Sequence, residues 1–273
     1  MSLPKIFNTG ETQDELKLKH NPEGSILRKV QYRMLDMLLY LDKVCKEQNI
    51  KWSLEGGNIL GAVRHGGFIP WDDDVDIIME RKEYNKLKKY LLSHPHPQFI
   101  LQTHKTDSGY YGSWMVLRDL KSEYIQDSHI HNVRKYRGMQ IDIFPIEIGY
   151  FEFLHRIAAK IHFTNANYFI GKNHFIANLC YHFEQDIMCP FFRLISRLFG
   201  KKNRFSYEYG HGSWPKFEYN SVFPLSSINF EGYTFPSPNN IDEYLKSLYG
   251  EMYMNLPPMN KRNHHQATYR IYD

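Results

Sequence analysis

The chain has 273 residues, 42% hydrophobic and 15% aromatic, enough to bury a substantial core and too apolar for a disordered polypeptide. A formal charge of +4 and a pI near 8.7 suit an anionic substrate or surface and fall short of a nucleic-acid-binding footprint. No eighteen apolar residues run together, Met1 to His20 lacks a signal-peptide core, and Cys45, Cys180 and Cys189 show no Cys-x-x-Cys spacing, which predicts a cytoplasmic protein without a membrane span or structural zinc.

In chain order, Asn21-Pro22-Glu23-Gly24 marks a turn, after which Leu27, Val30, Met34, Leu38, Leu41 and Cys45 recur at helical spacing and predict a long amphipathic helix ending near Asn49. Ile50, Trp52 and Leu54 alternate with polar residues as a short strand leading into Gly56-Gly57. Asn58 to Arg64 reads as a short helix capped by Asn58 and broken by His65-Gly66-Gly67. An acidic strand follows, then a helix from Arg81 to Leu92 on the repeat of Tyr84, Leu87 and Leu91. Strands are expected at Phe99 to Gln102, Trp114 to Arg118, Glu123 to Gln126, and from Met139 until Pro145 stops it.

From Phe151 to Arg204 the pattern becomes helical, with apolar stripes Leu154/Ile157/Ile161, Ile176/Leu179/Phe183/Ile187 and Phe191/Leu194/Ile195/Leu198. Internal packing is the expectation for these stripes; peripheral contact with the inner face of a membrane is the alternative, because bases flank the last one. Ile228 to Phe235 then reads as a hairpin around Gly232, and Ile241 to Tyr249 as a helix stopped by Gly250. Beyond Pro257-Pro258, the cationic residues Lys261, Arg262, His264 and His265 are either scattered surface bases or a clamp on phosphate oxygens.

The acidic strand carries the chemistry. Asp72, Asp74 and Asp76 stand at every second position and Val75 and Ile77 fill the alternate ones, so a strand would send the three carboxylates to one face, neighbours roughly 6.6 Å apart along the chain. Crowded like charges call for a hard divalent cation. Asp142, between Ile141 and Ile143, offers a further acid on a separate strand.

Strand into Gly-Gly, strand with Asp-x-Asp, and later strand with a lone Asp match the plan of the nucleotidyltransferase superfamily. More narrowly, the stretch from Leu54-Glu55-Gly56-Gly57-Asn58 through Arg64-His65-Gly66-Gly67 to Trp71-Asp72-Asp73-Asp74-Val75-Asp76 resembles the signature of the LicD family, bacterial phosphocholine transferases related to fukutin and fukutin-related protein. Ile141-Asp142-Ile143-Phe144-Pro145, Tyr249-Gly250 and Pro257-Pro258 with Lys261-Arg262 and His264-His265 resemble later blocks of that family, while the helical middle matches no motif.

The resemblance implies an α+β fold: a nucleotidyltransferase-like mixed sheet flanked by helices, with a helical insertion. It divides the chain into a catalytic core at 1–150, a helical insertion at 151–220 facing the acceptor or a membrane surface, and a C-terminal part at 221–273 completing the catalytic domain. The implied activity is transfer of phosphocholine or a similar phosphorylated head group from CDP-choline or a related donor to a hydroxyl of a cell-surface glycan, such as lipopolysaccharide or teichoic acid, or of its lipid-linked precursor, with release of CMP.

In that scheme Asp74 and Asp76 hold Mg²⁺ or Mn²⁺, Asp142 acts as general base or shares a second ion, and Asp72 serves in either role. Gly56, Gly57 and Asn58 admit the phosphates, and Arg64, His65, Lys261, Arg262, His264 and His265 contact substrate. Trp71, Tyr110, Tyr111 and Trp114 are candidates for an aromatic cage around a quaternary ammonium. Two other readings stand beside this one: a nucleotidyltransferase moving NMP from an NTP, and a non-catalytic divalent-cation module.

Overall fold

The computed structural model describes residues 6–262 and 268–272. Its helices are α1 (Gln13–His20), α2 (Ile26–Glu47), α3 (Gly56–His65), α4 (Arg81–Ser93), α5 (His129–Asn132), α6 (Glu152–Tyr168), α7 (His174–His182), α8 (Cys189–Phe199), α9 (Tyr219–Val222) and α10 (Ile241–Tyr249). A π turn, Phe183–Met188, joins α7 to α8, and a 3₁₀ turn spans Met259–Lys261. The strands are β1 (Ser53–Leu54), β2 (Val75–Glu80), β3 (Phe99–Gln102), β4 (Met115–Asp119), β5 (Ser122–Ile125), β6 (Gln140–Tyr150), β7 (Lys201–Tyr207), β8 (Phe217–Glu218), β9 (Ser226–Phe230), β10 (Tyr233–Ser237) and β11 (Thr268–Ile271).

Seven strands form one mixed sheet in the order β1-β2-β6-β4-β3, with β7 on β6 and β8 on β7. Among the described residues of this sheet, β2 and β6 run parallel and every other pair is antiparallel. Helices flank the sheet, as an α+β nucleotidyltransferase-like fold requires. The long helix α2 buries the predicted stripe, including Val30, Met34, Leu38, Leu41 and Cys45, against the sheet. Each such side chain contributes about 1.5–3 kcal/mol when fully buried.

Several boundaries differ from the sequence reading, each for a physical reason. The first strand shrinks to Ser53–Leu54, and the helix after it starts at Gly56, because Asn58 turns its side chain toward the neighbouring strand instead of capping. The strand in the acidic segment begins at Val75, and Asp72 to Asp74 lead into it, although the alternation of buried and partly exposed residues already runs from Asp72. Pro145 does not stop β6. On that side of β6 the pairing with β4 ends at Ile143 and that with β7 begins at Ile146, so the residue without an N–H sits in the gap and breaks no ladder bond there.

The helical stretch ends at Phe199 and the next residues join the sheet as β7. Its first stripe packs inward as expected, with Ile157 and Ile161 against the cluster that holds Leu154, while the second and third largely do not. Leu154 and Phe192 pack into a small cluster with Ala158, Met188, Cys189 and Tyr209. Leu179, Phe183, Ile187, Phe191, Leu194 and Leu198 face outward.

The predicted hairpin is β9–β10, turned by Glu231 and Gly232, both at positive φ. Its tip docks on the end of α3: the Glu231 amide donates to the Gly66 carbonyl (3.1 Å), and the carboxylate accepts from the Phe68 amide (3.0 Å) and from Arg28 (2.7 Å). A Cβ on Gly67 would collide with that carboxylate.

Candidate active site

The start of α3 and the lead into β2 meet at one place, and a single side chain fastens them. Asn58 Nδ2 donates to the Asp74 carbonyl at 3.1 Å, and Asn58 Oδ1 accepts from the Asp76 amide at 2.7 Å. An amide side chain offers a donor and an acceptor on two separate atoms, which suits such a backbone pair. Gly56 enters the turn at φ +46°, where a side chain would be strained, and the Asp72 carboxylate lies 3.1 Å from where a Cβ on Gly57 would stand.

Asp76 and Asp142 are register partners on the parallel pair β2–β6. Residues opposite one another on adjacent strands, about 4.8 Å apart, project from the same face of the sheet. Asp142 is held by two donors: Trp114 Nε1 reaches Oδ1 at 2.8 Å and Gln140 Nε2 reaches Oδ2 at 2.7 Å. Carboxylate oxygens carry further lone pairs, so each can still accept from a substrate or bind a cation.

The electrostatics are those of a site built for a positive charge. Enclosure by protein, and then the charges of Asp74, Asp142, Glu55 and Asp72, hold the Asp76 carboxyl well above the ordinary carboxylate range. Burial raises Asp142 as well, opposed by the Trp114 hydrogen bond and by the more distant Arg118 and Arg134. Asp74, Asp76 and Asp142 offer the hard oxygen donors that Mg²⁺ or Mn²⁺ takes, and repulsion between them is what such an ion would relieve. Among the described residues no three Asp, Glu, His or Cys side chains close to ligating distance around one point.

Glu55 and Tyr249 near this centre carry no site role in the sequence reading, and Trp114, a cage candidate there, takes a different one. Glu55, buried immediately before Gly56, accepts from Tyr244 at 2.7 Å and from Tyr207, and burial raises its carboxyl. Burial, and then the charges of Glu55, Asp72, Asp76 and Asp74, push the Tyr249 hydroxyl up. That hydroxyl is 3.3 Å from the Cβ position of Gly56. Trp114 enters as an orienting donor to Asp142. The sequence signal for Glu55 is its place next to the glycine pair; nothing local marks the tyrosines, which arrive from β7 and α10.

The predicted substrate-binding cations are placed differently from one another. Arg64 is buried, with Nη1 donating to the carbonyls of Tyr253 (3.1 Å) and Asn255 (3.2 Å) and Nε to His65 Nε2 (2.9 Å). His65 is buried too, its Nδ1 on Gln13 at 2.7 Å, and burial followed by the Arg64 charge pushes its pKa down to about 3. Arg262 is buried over the Trp71 ring and paired with Glu11 at 2.6 Å. These three fasten the C-terminal segment to α3 and the N-terminal segment, and their named polar atoms are spent on protein partners. Lys261 is exposed; His264 and His265 lie outside the described residues. The four candidate aromatics do not surround one point: Trp71 lies with Arg262, Tyr110 is buried with its hydroxyl on the Trp114 carbonyl, and Tyr111 bonds His174 and Asn178 near α7.

Comparison with known proteins adds a second line of observation. The family model for "LicD/FKTN/FKRP, nucleotidyltransferase domain" matches residues 49–193, which reaches into the helical stretch where no motif was found. The chain is similar to the lipopolysaccharide cholinephosphotransferase LicD of Haemophilus influenzae, 26% identical over 89% of this chain and 97% of that one. It is similar over shorter stretches to an uncharacterized Rickettsia prowazekii protein, RP689, 31% identical over 36% of this chain and 44% of that one. A third match, to human ribitol 5-phosphate transferase FKRP, is 50% identical over 14% of this chain and 8% of that one.

Proposed function

The chain belongs to the LicD/FKTN/FKRP nucleotidyltransferase family, and on that premise we propose that it is a phosphotransferase moving phosphocholine, or a closely related phosphorylated head group, from a CDP-linked donor to a hydroxyl of a cell-surface glycan or its lipid-linked precursor. The observation that carries this reading is the pairing of Asp76 with Asp142 on the parallel strands, beside a glycine turn where a phosphate can approach the backbone.

Asp74, Asp76 and Asp142 would hold Mg²⁺ or Mn²⁺, whose charge would neutralise the donor diphosphate and polarise the phosphorus under attack. The chain's own residues do the rest. Gly56 and Gly57 leave room for the phosphate oxygens, and Asn58 fixes the backbone of the two leading acids. Asp142, oriented by Trp114 and Gln140, takes the proton of the acceptor hydroxyl. A new O–P bond forms at the head-group phosphorus, the bridging P–O bond breaks, and CMP leaves with the electron pair.

Product analysis tests this. Purified protein with Mg²⁺ or Mn²⁺, CDP-choline and related CDP donors, and a glycan acceptor is expected to release CMP, with a loss of at least a hundredfold in Asp76→Asn and Asp142→Asn that still show the native circular dichroism. Pyrophosphate release from an NTP without CMP from any CDP donor would assign the nucleotidyl-transfer alternative instead.

A further inference from the structure

Among the described residues, exposed large apolar side chains concentrate on the helical segment. α7, the π turn and α8 follow one another without a break from His174 to Phe199. Leu179, Phe183, Ile187, Phe191, Leu194 and Leu198 recur along them at steps of four and three, each from 47% to 64% exposed. Steps of four drift around an ordinary helix of 3.6 residues per turn; the wider π turn takes back that drift and keeps the six side chains in one seam. The inner side of the same helices carries Ala177, Met188, Cys189, Phe192 and Ser196. Six large apolar side chains left outside are more than a helix that packs only on its own domain exposes.

Charge decides what covers the seam. Residues 151–204 hold eight Lys and Arg against three Asp and Glu, so this segment alone is more positive than the +4 of the whole chain. Arg197, Lys201 and Lys202 are exposed around the end of α8. Two copies meeting through this seam would bring like charges together, whereas an anionic bilayer accepts the apolar side chains and the cations at one surface. Among the described residues no helix is long and apolar enough to cross a membrane, so the contact is one that lies on the surface.

We propose that the α7–α8 seam is a membrane-docking face that lies in the plane of an anionic bilayer, with its leucines, isoleucine and phenylalanines at the acyl boundary and Arg197, Lys201 and Lys202 on lipid phosphates. The packing of α8 on β6, close enough that a Cβ on Gly149 would strike the Ser196 carbonyl, couples this face to the strand that carries Asp142. Docking does not depend on the reaction assigned above.

Co-sedimentation with vesicles of phosphatidylcholine and phosphatidylglycerol tests the face. The full chain is expected to pellet with these vesicles at low salt and much less with phosphatidylcholine alone. A double variant, Leu194→Glu with Leu198→Glu, should bind at least tenfold more weakly while keeping its circular dichroism and thermal midpoint, since both positions are exposed. Lys201→Ala with Lys202→Ala should weaken binding roughly fivefold per lysine at low ionic strength, an effect that salt removes. Equal pelleting of wild type and the double glutamate variant would overturn the proposal. So would a wild-type dimer in sedimentation velocity, without vesicle binding, that the glutamates dissociate, because a second copy would then be the occupant.

Discussion

Asn58 shows how one side chain can position a site without touching the chemistry. Its amide satisfies a backbone carbonyl and a backbone amide on the segment that carries Asp74 and Asp76. Asn58→Ala should therefore cost about 1–3 kcal/mol of stability and lower turnover more than substrate affinity, as denaturant titration and a kcat against KM comparison would show. A second residue-scale prediction concerns acid. His155 is buried against the rings of Tyr150 and Tyr209 with Nε2 unpartnered, and burial pushes its pKa down to about 3, the same direction as His65. The unfolded chain binds a proton near pH 6.5 and the folded one does not, so stability is full above that value and falls as the pH drops toward 3. The thermal midpoint should decline across that window, and His155→Phe should flatten the decline. At this scale the acids and glycines were legible because their chemistry is unusual in sequence; the inward turn of Arg64, His65 and Arg262 was not, because a cation reads the same whether it meets a phosphate or a distant carbonyl.

Elements were legible where their pattern is periodic and self-contained. α2, α4 and α10 follow their apolar spacing, and the β9–β10 hairpin follows Gly232. The failures share a cause in partners. β6 passes through Pro145 because of where β4 ends and β7 begins, and α8 exposes Phe191, Leu194 and Leu198 because no element among the described residues covers them. The docking of the hairpin on α3 is likewise a tertiary event, and it makes a measurable claim. Arg28 and Glu231 form a mostly buried pair at 2.7 Å, with 11% and 13% of their side-chain surface exposed. Removing either partner alone should cost about 3 kcal/mol, and the double variant Arg28→Ala with Glu231→Ala less than the sum, which a double-mutant cycle in chemical denaturation would resolve.

For the whole molecule, the site is a concentration of like charge that the rest of the fold stabilises. Neutralising one member should raise stability while removing function: Asp76→Asn is expected to increase the thermal midpoint by about 2–4 °C and to abolish CMP release. Added Mg²⁺ or Mn²⁺ should raise the midpoint of the wild type and do so less in this variant, a readout that does not require turnover. The sequence by itself determined the family, through its motif blocks, and the α+β character, and it marked the acids as candidates, since motifs, periodicity and a run of alternating acids are local properties of the chain. Only the tertiary structure decided that Asp142 stands beside Asp76, that Glu55 and Tyr249 join them, that the basic residues near Arg64 serve to fasten segments together, and that the helical seam faces outward. Strand register and burial are set by contacts between residues far apart in sequence, and no window on the chain contains both partners.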